Sequence, residues 1–333
     1  MNAMIHTSVT RIADLNTRSY DVIERPFADW QTGDYVLAQV THRPKPGITV
    51  ENSQGRGVEV MEGETIVGAL GTRRATLDIV GSWENVQADG VMNVITKGGV
   101  LGAVTSISPF SREPIEVEYR GHVALDDRIA RMPDFALDAP KRALETPVVL
   151  VVGTSMSAGK TMSVRVITRV LAERGYRVAA SKLTGAGAYR DILSMNVAGA
   201  EMIYDFVDAG LPTTVVPDSV YTSAIRPVLS AMQTADVIVG EVGASPLEPY
   251  NGERIISLLD DNVVFDVLCA SDPYAVVGIE DSFGRAPDVV AGIATNTQAG
   301  IELVEQLTDC SALNLHEERA KDPLGDRLEK AID

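Results

Sequence analysis

The most constraining feature of this sequence is the apolar segment 148–152, which is followed by a short loop between two glycines and then by an apparent helix. The segment Val-Val-Leu-Val-Val carries no charge, as is typical of a strand buried on both faces of a parallel sheet. The loop begins at Gly153 and ends at Gly159, and Lys160 and Thr161 open the helix. In such a turn the backbone N–H groups and the positive end of the helix face an anion. The segment therefore predicts a loop that binds polyphosphate.

The residues after the loop have the spacing of an amphipathic helix, with Val164, Ile167 and Val170 on one face. The common form of this loop has a glycine where Thr154 stands, so an ordinary glycine- and serine-rich turn is the alternative. We expect the lysine to bind the β- and γ-phosphates and the threonine to ligate Mg²⁺. The residues expected to contact the nucleotide are Gly153, Thr154, Ser155, Met156, Ser157, Ala158, Gly159, Lys160, Thr161 and Met162.

Composition narrows the class of protein. A chain of 333 residues predicts two domains. Acidic residues outnumber basic ones by 46 to 29, and a net charge of −17 argues against a nucleic-acid or anionic-membrane partner. The sequence has no apolar stretch near the length of a membrane span and no basic-then-apolar leader. Cys269 and Cys310 lie in apolar settings and are interpreted as core thiols. These features predict a cytoplasmic protein with no membrane or nucleic-acid partner.

The two halves of the chain differ in hydrophobic period. Short β-like runs separated by turn residues predict a small antiparallel domain over 1–130, either a barrel or a sandwich. Residues 131–146 are interpreted as a linker, and 147–333 as a nucleotide-binding domain with a doubly wound, mostly parallel α/β sheet. In that domain we predict strands at 148–152, 177–181, 213–216, 236–240, 263–269, 288–294 and 312–315, helices at 159–173, 219–234, 251–260, 273–282 and 297–308, and an irregular helical stretch over 190–209.

Two charged residues follow apolar strands of the predicted sheet, at the edge where ligands bind in such folds. Lys182 begins the run Lys-Leu-Thr184-Gly185, and it is expected either to hold an anionic substrate and neutralise developing charge or to be a solvated strand end. Glu241 ends a run of apolar residues, where a carboxylate commonly holds Mg²⁺ or its water. A plain glutamate at the start of a loop is the alternative.

Other polar residues in this half give weaker signals. Asp191, Asp205 and Asp208 are interpreted either as substrate contacts or as helix caps. Asn296 ends a late strand, and its amide can pair with the edge of a nucleobase. Because no lysine and aspartate follow it in the pattern of a guanine reader, adenine is favoured.

In the N-terminal half, the pair Arg73–Arg74 either reaches a phosphate or carboxylate or is simply exposed. The four histidines, His6, His42, His122 and His316, are scattered along the chain with no cysteine or histidine nearby. Their spacing predicts no metal-ligand cluster and supports no Ser-His-Asp arrangement.

The loop from Gly153 to Thr161 is similar in spacing to the phosphate-binding loop of dethiobiotin synthetase, and it also resembles that of the DUF1611-type P-loop proteins. Lys182, Glu241 and Asn296 stand where the dethiobiotin synthetase family has a lysine, a glutamate before a glycine-rich turn and an adenine-reading asparagine. The resemblance covers only about residues 147–316. It implies a P-loop fold, ATP and Mg²⁺ as cofactors, and phosphorylation of a carboxylate or carbamate followed by attack on the acyl phosphate.

Carried over to this chain, the resemblance implies that Lys160 and Thr161 serve the phosphates and metal, Lys182 the substrate anion, Glu241 the metal and Asn296 the adenine. The sequence departs from the family at two places. Ser155 replaces an acidic residue near the metal, and Val242-Gly-Ala-Ser replaces a glycine pair, so both the magnesium ligands and the substrate are expected to differ.

The sequence as a whole predicts an ATP- and Mg²⁺-dependent kinase or ligase that activates a small carboxylate, with a homodimer as the expected assembly. Lys160, Lys182 and Glu241 are the predicted catalytic residues. Lys182, Thr184, Gly185 and Asp191 are the predicted substrate contacts, and Thr161 and Glu241 the predicted metal ligands. The alternatives are an NTPase switch or chaperone-type protein that acts on a protein partner, and a nucleotide-binding regulator without chemistry.

Overall fold

The computed structural model describes residues 4–45, 47–140, 142–283 and 286–333. The chain divides into two compact units, and two later segments return to the first of them. The first unit consists of Met1–Asp138, Ala186–Arg190 and Phe206–Val220. The second consists of Ala139–Gly185, Asp191–Asp205 and Tyr221–Asp333.

The first unit is built mainly from short strands. In the described ranges they are β1 (Met4–His6), β2 (Asp21–Ile23), β3 (Tyr35–His42), β4 (Thr49–Glu51), β5 (Gly57–Glu59), β6 (Thr65–Leu70), β7 (Thr72–Arg74), β8 (Ile79–Ser82), β9 (Val91–Val94), β10 (Val100–Ile107), β11 (Glu116–Leu125) and β12 (Arg128–Ile129).

Pairing closes part of this sheet into a ring. β6, β3, β11, β9 and β10 pair in that order as antiparallel neighbours, and a short parallel pairing of β10 with β6 completes the ring. Alternate residues of these strands point inward, so Val36, Ala38, Ile66, Leu101 and Val117 form its apolar core. Strands that pair into a closed ring form a small barrel.

A buried carboxylate lies within the first unit. Asp34 is fully buried and accepts hydrogen bonds from Arg131 Nε (2.8 Å) and from the backbone N–H of Gln31 (2.8 Å). His122 Nε2 lies 3.2 Å from the same carboxylate, and its Nδ1 lies 2.6 Å from the hydroxyl of Tyr119. Because a buried charge is tolerated only when it is paired and hydrogen-bonded, this network fixes the conformation of the strands that carry it.

The second unit contains a parallel sheet covered by helices. Its described strands are β13 (Val148–Gly153), β14 (Val178–Lys182), β15 (Met202–Asp205), β16 (Val237–Glu241), β17 (Val263–Cys269) and β18 (Val289–Ala291). They pair in the order β15-β14-β16-β13-β17-β18, and every pair is parallel. The helices are α1 (Lys160–Glu173), α2 (Tyr189–Val197), α3 (Asp218–Ala231), α4 (Gly252–Leu259), α5 (Pro273–Phe283), α6 (Gln298–Leu307) and α7 (Lys321–Ile332).

Burial follows the predicted pattern in the central strand and the helix after it. Val148, Val149, Leu150 and Val151 are 0–1% exposed, as expected for a strand covered on both faces. The face of α1 that carries Val164, Ile167, Val170 and Leu171 is buried as well. A doubly wound α/β sheet and a β-rich N-terminal region are therefore both present, as the sequence predicts.

The predicted helical stretch 190–209 is wrong in its second half. Helix α2 ends at Val197, Gly199 turns the chain with a φ of +116°, and β15 then forms the edge of the sheet beside β14. Only glycine adopts such a φ at low cost, so this residue ends the helix and frees the following residues to pair.

The predicted strand 213–216 is also wrong. Its β-branched residues belong to a segment of the first unit that forms no strand, where the hydroxyl of Thr213 donates to the carbonyl of Thr72 (2.7 Å). Strand formation requires backbone pairing with another strand, and this segment contacts β7 through the side chain of Thr213 without forming a strand. The predicted strand 312–315 is reduced to one parallel bridge between Val290 and Ala312.

Helix α7 was not predicted from the sequence. Its carboxylates Asp326 and Glu329 pair with Arg174, which lies just after α1. Among the described helices, none has the length and apolar character needed to cross a bilayer.

Candidate nucleotide-binding site

The loop after β13 lies at the carboxyl edge of the parallel sheet. The N–H of Thr154 donates to the carbonyl of Cys269 at the end of β17 (3.0 Å), and its hydroxyl accepts from the N–H of Ser271 (3.0 Å). Gly159 then caps α1 with a φ of +102°, a left-handed conformation that favours glycine. The start and the end of the loop are therefore both fixed by backbone geometry.

Lys160 folds back over this loop. Its ammonium donates to the carbonyl of Ser155 (2.7 Å), and a Cβ added at Gly153 would approach the lysine side chain to 2.7–2.8 Å. Glycine at position 153 thus leaves the space that the lysine occupies. Lys160 is 5% exposed, and burial lowers its pKa more than the nearby carboxylate of Glu241 raises it. A buried cation beside a loop of amides is suited to a phosphate group.

Thr161 and Glu241 meet at the same edge. The hydroxyl of Thr161, the second residue of α1, donates to Glu241 Oε2 at 2.9 Å. Glu241 is the last residue of β16, which pairs with β13 so that Glu241 is opposite Val151. A hydroxyl and a carboxylate oxygen side by side are ligands that suit Mg²⁺.

Lys182 lies among carboxylates at the end of β14. Its ammonium donates to Asp191 on α2 (2.6 Å) and lies 3.6 Å from Glu241 Oε1. The strand register places Lys182 between Glu241 on one side and Asp205 on the other. Burial alone lowers the pKa of Lys182, but the three carboxylates outweigh it and raise the pKa, so this lysine stays charged.

Asp205 belongs to this cluster, although the sequence analysis left it open between a substrate contact and a helix cap. It is 2% exposed and ends β15, so it is no helix cap. An acidic residue directly after the apolar residues Met-Ile-Tyr is the same signal that identified Glu241. Asp208 lies in the first unit instead, where it pairs with Arg11 at 2.7 Å.

Thr184, Gly185 and Asn296, the other residues predicted to bind ligands, lie in the loops after the strands of the sheet. Thr184 is fully buried, and its hydroxyl donates to the carbonyl of Gly243 (3.1 Å), which ties together the loops after β14 and β16. Gly185 adopts a φ of +117° beside Gly243. Asn296 is exposed and follows a short turn whose first amide, at Ile293, donates to the loop residue Ala158 (3.3 Å).

Cys269 is a neighbour of the loop that the sequence analysis interpreted only as a core thiol. Its thiol donates to the hydroxyl of Ser163 on α1 (3.2 Å). Burial raises its pKa to about 11, because neither the hydrogen bond nor the charge of Lys160 offsets the loss of water around it. The thiol is therefore a neutral packing group behind the loop.

These residues fit a nucleotide and its metal on two grounds. The buried ammonium of Lys160 donates a hydrogen bond to the carbonyl of Ser155 in the loop itself. A phosphate oxygen can take the place of that carbonyl as the acceptor. Thr161 and Glu241 provide two oxygen ligands at the carboxyl edge of adjacent strands, where parallel α/β sheets bind ligands.

The fold and this loop define a P-loop NTPase domain. Residues 136–241 match a family model described as "Domain of unknown function (DUF1611_C) P-loop domain". The match covers β13, the loop, α1 and the strands that end in Lys182, Asp205 and Glu241. No curated protein matches the chain.

Among solved structures, the chain is similar to the hydrogenase maturation factor HypB from Archaeoglobus fulgidus, with 15% identity, 56% of this chain and 91% of that chain covered, and a TM-score of 0.40. A DUF1611 family protein from Anabaena variabilis matches with 17% identity and a TM-score of 0.38, and the match covers 59% of this chain and 60% of that chain. Chloroplast FtsY from Physcomitrella patens matches with 12% identity and a TM-score of 0.36, and the match covers 58% of this chain and 68% of that chain. Likenesses this low assign no activity to this chain.

Proposed function

We propose that the second unit binds ATP with Mg²⁺ and transfers its γ-phosphoryl group to a small molecule that bears a carboxylate. The observation that carries this proposal is the contact between Thr161 and Glu241, beside a loop that presents Lys160. Phosphoryl transfer depends mainly on positioning and on neutralising charge, and these three side chains supply both.

Each residue has a role in the proposal. The amides of residues 153–161 and the ammonium of Lys160 hold the phosphates, and Thr161 and Glu241 would hold Mg²⁺, which neutralises charge on the phosphate oxygens. Asn296, exposed near the loop, binds the edge of the adenine. In the transfer step a carboxylate oxygen of the substrate bonds to the γ-phosphorus while the bond to the bridging oxygen breaks, which yields an acyl phosphate and ADP.

Lys182 is proposed to bind the substrate. Its ammonium now donates to Asp191, which lies on a helix and is the less buried of its two ion-pair partners. A substrate carboxylate can replace Asp191 without leaving the lysine unpaired, because Glu241 remains near it. This exchange would hold the substrate beside the phosphates.

A second candidate is an NTPase switch that acts on a protein partner. It is favoured by the same cluster, because Lys182 already lies among the carboxylates of Asp191, Asp205 and Glu241 and needs no substrate anion. A switch requires only that Mg²⁺ and nucleotide draw Glu241 away from Lys182 and so move α2.

The test measures ADP release with a panel of amino acids and dicarboxylates. The kinase or ligase proposal expects at least one carboxylate to stimulate ADP release by about tenfold or more. Lys182→Arg, which keeps the charge but changes its geometry, is expected to lose the stimulation and keep ATP binding by calorimetry. Lys321→Arg is the matched control, since Lys321, the first residue of α7, pairs with Glu318 just before that helix.

The outcomes separate the two candidates. If ATP binds and no carboxylate in the panel changes ADP release, the carboxylate-activating proposal is wrong. Nucleotide-dependent hydrogen exchange confined to α2 and the end of β14 would then support the switch. If α2 exchanges equally with and without nucleotide, the switch is wrong as well.

A further inference from the structure

A cavity of about 270 Å³ lies in the first unit. It is lined by parts of β7 to β9 and by the segments before β4 and before β11. The lining residues that matter here are Arg73, Lys97, Arg112, Ile48, Ile79 and Ile115. A cavity of this size is slightly smaller than those that hold drug-sized ligands, so it suits a molecule of fewer than ten heavy atoms or so.

Arg73 is one of the two arginines that the sequence analysis singled out, and the structure buries it. It is 9% exposed, whereas Arg74 is exposed. Its guanidinium donates to the carbonyl of Ile95 (2.6 Å) and pairs with the carboxylate of Asp78. Its Nε is buried and has no acceptor among the described residues. The guanidinium is therefore held in place by two of its nitrogens, and it puts a fixed positive charge into the wall of the cavity.

The cavity also carries two cations without ion-pair partners. Lys97 and Arg112 are exposed, and within the described ranges neither has a carboxylate within salt-bridge distance. With Arg73 they make three positive charges, against the negative charges of Asp78 and Glu113. The lining thus has a net charge of +1 in a chain whose net charge is −17. A local excess of positive charge in so acidic a protein attracts an anion.

Apart from Gly47, Pro114 and the two threonines Thr49 and Thr96, the rest of the lining is aliphatic. Ile79 and Ile115 are buried, and Val94, Ile95 and Ile48 contribute further aliphatic surface. Such a lining binds the apolar part of a ligand, while a few charged groups fix its orientation. A single negative charge matches the net charge of the lining.

We propose that this cavity is a binding site for a small organic monocarboxylate with an aliphatic body. Arg112 and Lys97 bind the carboxylate, Arg73 provides fixed positive charge behind them, and the isoleucines contact the aliphatic part. The proposal concerns the first unit alone and does not depend on the nucleotide site.

The experiment titrates the full chain with hexanoate and follows the isoleucine methyl groups by NMR. Hexanoate is expected to shift the methyl signals of Ile48, Ile79 and Ile115 and to leave those of Ile192, Ile225 and Ile255, in the second unit, unchanged. Hexanol, which has the same aliphatic body without the charge, and inorganic phosphate, which has charge without the body, are each expected to bind at least tenfold more weakly.

Variants test the charged groups. Arg112→Gln and Lys97→Gln are each expected to weaken hexanoate binding by about tenfold, because each removes a charged donor to the carboxylate. Both side chains are exposed, so their loss leaves the fold intact. Arg226→Gln is the matched control, since Arg226 is an exposed arginine on α3 of the second unit. It is expected to change hexanoate binding less than twofold.

Four results would overturn the proposal. The first is the absence of any hexanoate-dependent shift at Ile79 and Ile115. The second is equal binding of hexanoate and hexanol, which would exclude recognition of the carboxylate. The third is unchanged affinity in the Arg112→Gln and Lys97→Gln variants. Tighter binding of phosphate than of hexanoate would also refute the assigned class of ligand.

Discussion

Thr161 and Glu241 are 80 positions apart in the sequence, and the hydroxyl of one donates a 2.9 Å hydrogen bond to the carboxylate of the other. The contact exists because β13 and β16 are parallel neighbours, so the helix after one strand begins beside the last residue of the other. It joins the phosphate-binding loop to the cluster around Lys182 through a single carboxylate.

Glu241→Gln tests the role of that carboxylate. The amide can still accept the hydrogen bond from Thr161, but it has no charge for Mg²⁺. We expect the enhancement of ATP binding by Mg²⁺ to fall by about tenfold, while binding of metal-free ATP is kept. Calorimetry with and without Mg²⁺ measures both, and Glu173→Gln on the exposed end of α1 is the control. An unchanged effect of Mg²⁺ would show that Glu241 does not serve the metal.

Cys269 makes stability depend on pH. Its pKa is raised from 9.0 to about 11 in the folded protein, so the folded thiol keeps its proton where the unfolded thiol loses it. The free energy of unfolding therefore falls as the pH rises through 9 and levels off above 11, by about 2–3 kcal/mol in total.

Burial lowers the pKa of Lys160, so the folded lysine loses its proton at a lower pH than the unfolded lysine does. This contribution raises the free energy of unfolding as the pH rises, which opposes the contribution of Cys269. The effect of Cys269 is therefore measured as a difference between proteins. Urea unfolding at about pH 8 and about pH 10.5 is expected to show a loss of stability in the parent that is about 2 kcal/mol larger than in Cys269→Ala. Equal losses in the parent and in Cys269→Ala would contradict the assignment.

Asp34→Asn tests the buried network of the first unit. The substitution removes the charge that pairs with Arg131 and contacts the His122 ring, and it places amide donors where acceptors are needed. We expect a loss of about 2–4 kcal/mol in the free energy of unfolding. Asp127→Asn is the control, because Asp127 is exposed in a turn with a φ of +61°, which asparagine tolerates. A change below about 0.5 kcal/mol for Asp34→Asn would contradict this account.

The sequence was sufficient to predict the central strand, the loop and helix α1, because an uncharged strand and an amphipathic helix each have a strong local pattern. It also predicted that Lys182 and Glu241 end strands. It did not predict that they are neighbours, because that requires β14 and β16 to pair, and pairing order is not encoded in local periodicity.

The errors had local causes. The edge strand β15 is four residues long and follows helix α2 closely, so its pattern was merged with that of the helix. Thr213 and the residues after it have high strand preference, yet Thr213 contacts β7 through its side chain and the segment forms no strand. Asp205 was left open because its role depends on its register with Lys182.

The central claim is that residues 153–161 bind a nucleoside triphosphate, and isothermal titration of the full chain with Mg²⁺ and ATP tests it most directly. The account predicts a saturable heat with one site per chain and micromolar affinity, weakened at least a hundredfold in Lys160→Met. Lys330→Met on α7 is expected to match the parent. No heat with either ATP or GTP in the presence of Mg²⁺, or full binding by a folded Lys160→Met variant, would contradict the account.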